Sequence, residues 1–147
     1  MRILLISAIL TTGLLGIEVR AQDAAANKEM VLAFYDLAFN MRQPTQAAKK
    51  FIGENFTQHS PQLANGRKGF EDHYKKYFKK NPKAQAEVKR AAADDNIVFV
   101  HAHSKLDEND RGQAVVDIFR VEKGKIVEQW SVSQEVPEKA ANSNSVF

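Results

Sequence analysis

Three segments, NIVFVHAH (96–103), AVVDIFRV (114–121) and IVEQWSV (126–132), are dense in β-branched and aromatic residues and separated by short polar stretches. Such runs favour strands. Their apolar residues occupy both phases of the two-residue alternation. Val98, Val100, Val116, Ile118, Trp130 and Val132 fall on one phase, and Phe99, Val115, Phe119 and Val127 on the other. A sheet that is apolar on both faces must be covered on both. Helices elsewhere in the chain can cover one face. The other is left for a second subunit, so the expectation is a homodimer built sheet against sheet, with Trp130 near its centre.

The helices are legible ahead of the strands. From Lys28 to Met41 the residues Met30, Phe34, Leu37 and Met41 recur at helical spacing. Pro44 suits the first turn of a second helix running to about Ile52. A third, Lys68 to Lys80, repeats Phe70, Tyr74 and Tyr77 and stops at Asn81-Pro82. Between the last two lies FTQHSP (56–61), where the proline pushes the preceding backbone toward extended geometry and places His59 on a strand or turn edge. In KAQAEVKRAAADD (83–95), Ala84, Ala86 and Val88 alternate with polar residues, and the alternation predicts a strand against the helical propensity of its alanines. Helices first and antiparallel strands later make an α+β domain.

The 147 residues suit one domain. The first 21 combine an early Arg2, an apolar run from Ile3 to Ile17 and the small-residue site Val19-Arg20-Ala21, the pattern of a secretory signal peptide. The expected mature chain is 22–147, with a mobile start at 22–27, an ordered core at about 27–137 and a loose tail. It would be secreted or periplasmic, with no membrane association after cleavage. Without Arg2, Arg20 and Glu18 there remain 19 basic and 17 acidic residues, a balance that argues against a nucleic-acid partner. The chain has no cysteine, which rules out thiolate chemistry, disulfides and cysteine-ligated metal.

Register supplies the candidate chemistry. If Glu122-Lys123-Gly124 forms a three-residue hairpin turn, Asp117 opposes Gln129, Val115 opposes Ser131 and Phe119 opposes Val127. If the preceding turn centres on Asn109, His101 opposes Asp117 and Phe99 opposes Phe119. One row across three strands then reads His101, Asp117, Gln129. A carboxylate accepting from one imidazole nitrogen raises the basicity of the ring and frees the other nitrogen for proton transfer. A satisfied structural pair uses the same two residues, so both readings stand. His101 and His103 share a strand face but lack a matched third ligand, and no metal is expected. GRKG is not a phosphate loop, and no serine nucleophile elbow is present. Tyr35, Phe70, Tyr74 and Tyr77 suit a core or a cavity wall.

FTQHSP followed by GRKGF, then NIVFVHAHS and AVVDIFRVEKGKIVEQWSVSQEVP, resemble the SnoaL-like branch of the nuclear transport factor two-like superfamily over roughly Asn27 to Pro137. The resemblance implies a cone-shaped fold: three N-terminal helices packed on a curved antiparallel sheet around a deep pocket, in a protein that is usually dimeric. It also implies the chemistry of polyketide cyclases, which close a ring by aldol condensation with neither metal nor organic cofactor. Where that group carries a histidine and an aspartate in its last strand, this chain has Gln129 and Ser131, neither of which takes up protons near neutral pH. The acid-base roles are therefore expected at His101, Asp117 and His59, with Tyr35, Tyr74, Phe99, Phe119, Gln129 and Ser131 contacting a small carbonyl compound. A non-catalytic module that captures a small apolar ligand is the alternative.

Overall fold

A computed structural model describes residues 12–147, with the side chains of the first helix from Asp23 onward. The order is α1 (Thr12–Tyr35), a π-turn (Asp36–Asn40), α2 (Pro44–Phe51), β1 (Ile52–Gln58), α3 (Gly66–Lys80), β2 (Gln85–Asp94), β3 (Ile97–Lys105), β4 (Gln113–Glu122) and β5 (Lys125–Glu135). The architecture is α+β. The three helices pack on one face of a five-stranded sheet of order β1-β5-β4-β3-β2. The sheet is mixed, because β1 runs parallel to β5 while the other pairs are antiparallel. The extended piece around FTQHSP is thus part of a full edge strand.

Residues 22–27, expected to be mobile, lie within α1. Their three alanines are the strongest helix formers, and Asn27 Nδ2 donates to the carbonyl of Asp95 at 3.2 Å, tying this segment to the β2–β3 turn. The first eleven residues of the expected leader lie outside the described residues. No helix among the described residues is long and apolar enough to cross a membrane.

Phe34 is the hub of the core. Fully buried, it meets the rings of Phe39, Phe51, Phe70 and Phe119 at centroid distances of 5.5–6.2 Å. Each helix contributes one buried stripe to this cluster, and the sheet contributes Val98, Val100, Ala102, Phe119, Val121 and Ile126. Rings packed edge to face gain about 0.5–1.5 kcal/mol per pair beyond their burial.

Two registers differ from expectation, with different consequences. Between β4 and β5 the connection is a two-residue turn, Lys123-Gly124, both left-handed (φ 49° and 70°), and the register shifts between Arg120 and Val121. Asp117 therefore pairs with Ser131, and Phe119 with Gln129. From Arg120 back along β4 this is a slip of two positions, which leaves Asp117, Phe119, Gln129 and Ser131 on their expected face, while next to the turn the slip is one position and Ile126 enters the core. Between β3 and β4 the slip is a single position: Val100 pairs with Asp117 and His101 with Val116. The loop Leu106–Gly112 fixes this. Asp110 accepts from the backbone N–H groups of Leu106 (2.8 Å) and Gly112 (2.9 Å), and Asp107 accepts from those of Asn109 and Asp110. The turn so formed centres half a residue before Asn109, and every side chain of β3 changes face.

The helix-covered face thus carries Val98, Val100 and Ala102. Phe99, 41% exposed, lies on the outer face with His101 and His103. Trp130, Val116, Ile118 and the 66%-exposed Val132 share that outer face. The tail, expected to be loose, reaches back over it. The Phe147 ring lies 4.3 Å from that of His103 and 5.6 Å from that of His101.

Candidate functional site

A pocket of about 190 Å³ opens between the helices and the inner face of the sheet. Its floor is odd-numbered β4 and β5: Val115, Asp117, Ser131 and Ser133. Its walls come from the turn after α1 and from α3. The π-turn adds one residue to a helical turn, and with it Tyr35 and Phe39 stand side by side, ring centroids 4.5 Å apart. On α3, His73, Tyr74, Tyr77 and Phe78 line the cavity while Phe70, on the same stripe, enters the core.

Asp117 is the chemical centre. It is 4% exposed, and burying a carboxylate is costly unless its oxygens are satisfied. The Tyr35 hydroxyl donates to Oδ2 at 3.0 Å and Gln129 Nε2 donates to Oδ1 at 3.2 Å. Behind Gln129, Gln58 Nε2 donates to Gln129 Oε1 at 3.0 Å, and Gln58 Oε1 accepts from the backbone N–H of Ser60 at 2.8 Å. This chain fixes the orientation of each amide. Burial raises the Asp117 pKa above the usual aspartate value, against the opposing hydrogen bonds from Ser131, Gln129 and Tyr35. Burial also raises the Tyr35 pKa, helped by the neighbouring Asp117 charge and by the hydrogen bond to it. Tyr74 is raised by burial and by Asp117, and its hydroxyl has no side-chain hydrogen bond among the described residues. His73 is held below the usual histidine value by burial and by the Lys76 cation, so its imidazole is neutral at neutral pH.

The expected row of His101, Asp117 and Gln129 does not form. Asp117 and Gln129 are joined, but the one-residue slip turns His101 to the opposite face, where it stacks on Phe147 rather than bonding Asp117. Phe99 follows His101 outward. His59 is also outside the pocket: its ring lies flat on Trp130 (4.5 Å, 5°), and Nε2 is 3.4 Å from Glu128, which Arg120 holds in turn. Phe119 is a core residue against Phe34. Of the expected contacts, Tyr35, Tyr74, Asp117 and Ser131 line the pocket, and Gln129 supports Asp117 from behind. His73 escaped the sequence reading, although its signal was present: positions 70, 73, 74, 77 and 78 are one helical face. Ser104, Gln113 and Ser133, also in the lining, gave no such signal. Among the described residues no three His, Asp or Glu side chains lie close enough to form a metal site.

This arrangement can hold a small molecule against aromatic walls, present a satisfied but basic carboxyl to it, and offer a phenol hydroxyl to one of its oxygens. A family model for the SnoaL-like domain matches residues 31–129, which include Tyr35, α3, Val115 and Asp117 of the pocket. The chain belongs to the SnoaL-like domain family. Solved structures share its fold at low identity. A proposed ketosteroid isomerase from Kribbella flavida is 19% identical with a TM-score of 0.66, covering 85% of this chain and 90% of that one. A proposed polyketide cyclase from Bacillus cereus is 20% identical with a TM-score of 0.65, covering 76% of each chain. A proposed SnoaL-like polyketide cyclase from Jannaschia is 16% identical with a TM-score of 0.64, covering 76% of this chain and 87% of that one. No match to the curated proteins reaches significance.

Proposed function

We propose that this SnoaL-like domain binds a small, uncharged carbonyl compound and moves a proton next to its carbonyl group, without a cofactor. The observation that carries this reading is Asp117: a carboxyl buried at the floor of an aromatic pocket, oriented by Tyr35 and Gln129, with a raised pKa. A carboxylate in such surroundings is a stronger base than one in water. Asp117 takes the proton from the carbon beside the carbonyl, the Tyr74 hydroxyl donates to the oxygen as negative charge develops there, and Asp117 returns the proton elsewhere on the molecule. The bond electrons shift into the enolate and back, so the step needs no redox partner. His73 is the second group able to exchange protons at the mouth.

Deuterium exchange tests this. The protein should accelerate the exchange of the methyl protons of acetophenone in D2O, and Asp117→Asn should abolish the acceleration. Unaccelerated exchange, despite binding, would favour capture without catalysis. A specific observation supports that second reading: both oxygens of Asp117 are already engaged, and the last strand presents only an amide and a hydroxyl at Gln129 and Ser131.

The apolar run at 3–17 and the site Val19-Arg20-Ala21 support a place outside the cytoplasm, where intact-mass measurement should find Gln22 at the N-terminus of native protein. The exposed apolar residues of the outer sheet face support a homodimer through the face bearing Trp130.

A further inference from the structure

The pocket is small. Its 190 Å³ lies below the roughly 300–1,000 Å³ usual for a drug-sized ligand. Room for a single ring and a carbonyl is what it offers. Two of its lining residues, His73 and Tyr77, one turn apart on α3, also line a neighbouring cleft of about 690 Å³. That cleft is lined by residues of α3 together with Gln62, Ala64 and Leu106. The two spaces therefore share a pair of side chains on one helix.

The two spaces have opposite chemistry. Among the described residues no lysine or arginine lines the inner pocket, and Asp117 is its one acidic group. An anion placed there would meet a carboxyl and no cation, so a carboxylate or phosphate does not belong in it. Lys76 and Lys80, one turn apart, line the outer cleft. On α3, Lys68 pairs with Asp72 and Lys75 with Glu71, whereas Lys76, Lys79 and Lys80 are in no ion pair among the described residues, and of these three Lys76 and Lys80 line the cleft. Asp72 also borders the cleft, but its carboxylate is engaged by Lys68. Leu106, 45% exposed, adds an apolar surface, and its backbone is fixed by the bond from its N–H to Asp110.

Building on the pocket reading above, we propose that the natural ligand is bipartite. It has an uncharged ring carbonyl head in the inner pocket, a stem passing between His73 and Tyr77, and an anionic end at Lys76 and Lys80. Leu106 covers the stem. The inner pocket selects the reacting group by shape and neutrality, and the outer cleft selects the tail by charge. Remote tail contacts of this kind hold a small head in place for reaction.

The test uses 4-(4-acetylphenyl)butanoate and its methyl ester, which share the acetophenone head and differ in the charge of the tail. Binding is read by NMR titration of the full chain at low salt. The butanoate should bind about three- to tenfold more tightly than the ester, the range for two exposed ion pairs. In the Lys76→Gln/Lys80→Gln protein, or in about 0.5 M salt, this preference should vanish while ester binding persists. Equal affinity for the two compounds, or a preference that survives the double substitution, overturns the bipartite ligand and leaves the pocket reading standing. If neither compound nor acetophenone itself shifts the resonances of pocket residues, both are overturned.

Discussion

The two faces of the sheet are built from the same strands and nearly the same residue types, yet they solve opposite problems. On the inner face the buried polar groups are held by neutral partners: Asp117 by Tyr35 and Gln129, and Gln129 by Gln58. On the outer face, polar groups are plentiful and paired in the open. His59 lies on Trp130 and against Glu128, and Arg120 bridges Glu128 and Glu122. Desolvation raises the proton affinity of a carboxylate, and a cation hydrogen-bonded to it lowers that affinity. Glu128 on the outer face is held below the usual glutamate value by the hydrogen bond from Arg120, whereas burial among neutral donors raises Asp117. The difference teaches that location relative to the core, more than residue identity, decides which titratable group can do chemistry.

The largest expected effect contrasts the packing of the faces. Phe119→Ala should cost about 3–5 kcal/mol in denaturant unfolding, because its ring fills a closed cluster around Phe34. Val132→Ala on the exposed face should stay within about 0.5 kcal/mol. Similar losses at both positions would break the distinction between core and cover.

Next comes the chemistry. Asp117→Asn should reduce carbonyl-adjacent proton exchange by about 10²-fold or more, while His101→Gln on the outer face should leave it within about twofold. A collapse of exchange in His101→Gln would put the functional site on the wrong face.

Third is assembly. Val116→Asp or Ile118→Asp should convert a dimer to monomer by light scattering, since a charge without a partner is expensive in a buried interface. A wild-type monomer at micromolar concentration would end the dimer proposal and leave the tail at Phe147 as the cover of this face.

A pH comparison sharpens the account of Asp117. Its pKa is raised in the folded state above the ordinary 3.8, so the folded protein holds this proton more tightly than the unfolded chain does. The resulting stability is complete below about 3.8 and is lost as pH rises through the raised value. Asp117→Asn cannot ionise, so its stability relative to wild type should climb across that window and then level off. A flat difference would mean that the carboxyl is not desolvated. The smallest effect is expected at His59→Ala, where loss of the stack on Trp130 should cost about 0.5 kcal/mol.

Much of the fold was open to sequence reasoning because it rests on local rules. The stripe at Phe70, Tyr74 and Tyr77 declared α3, and the alternation in 84–88 outvoted alanine propensity to declare β2, because burying Ala86 and Val88 against the helices outweighs a few tenths of a kcal/mol per residue. Asp117, Tyr35, Tyr74 and Ser131 were legible as pocket residues for the same reason, since each lies on the phase or stripe that faces the core. His73 was equally available on its stripe, but its character as a half-buried base needed the cavity beside it.

Alternation and helical periodicity thus determined which residues of each element face together. Which face of β3 turns inward was decided only by the tertiary structure. The physical reason is parity. Around Asp117 the β4–β5 register slipped by two positions, which a pleated strand absorbs without turning a side chain, so Asp117, Gln129 and Ser131 stayed where their sequence placed them. The β3–β4 register slipped by one, set by the hydrogen bonds of Asp107 and Asp110 inside the Leu106–Gly112 loop, and that single position carried His101 and Phe99 out of the site. Val98 and Val100 fill the core in their stead, and they bury more favourably than an imidazole would.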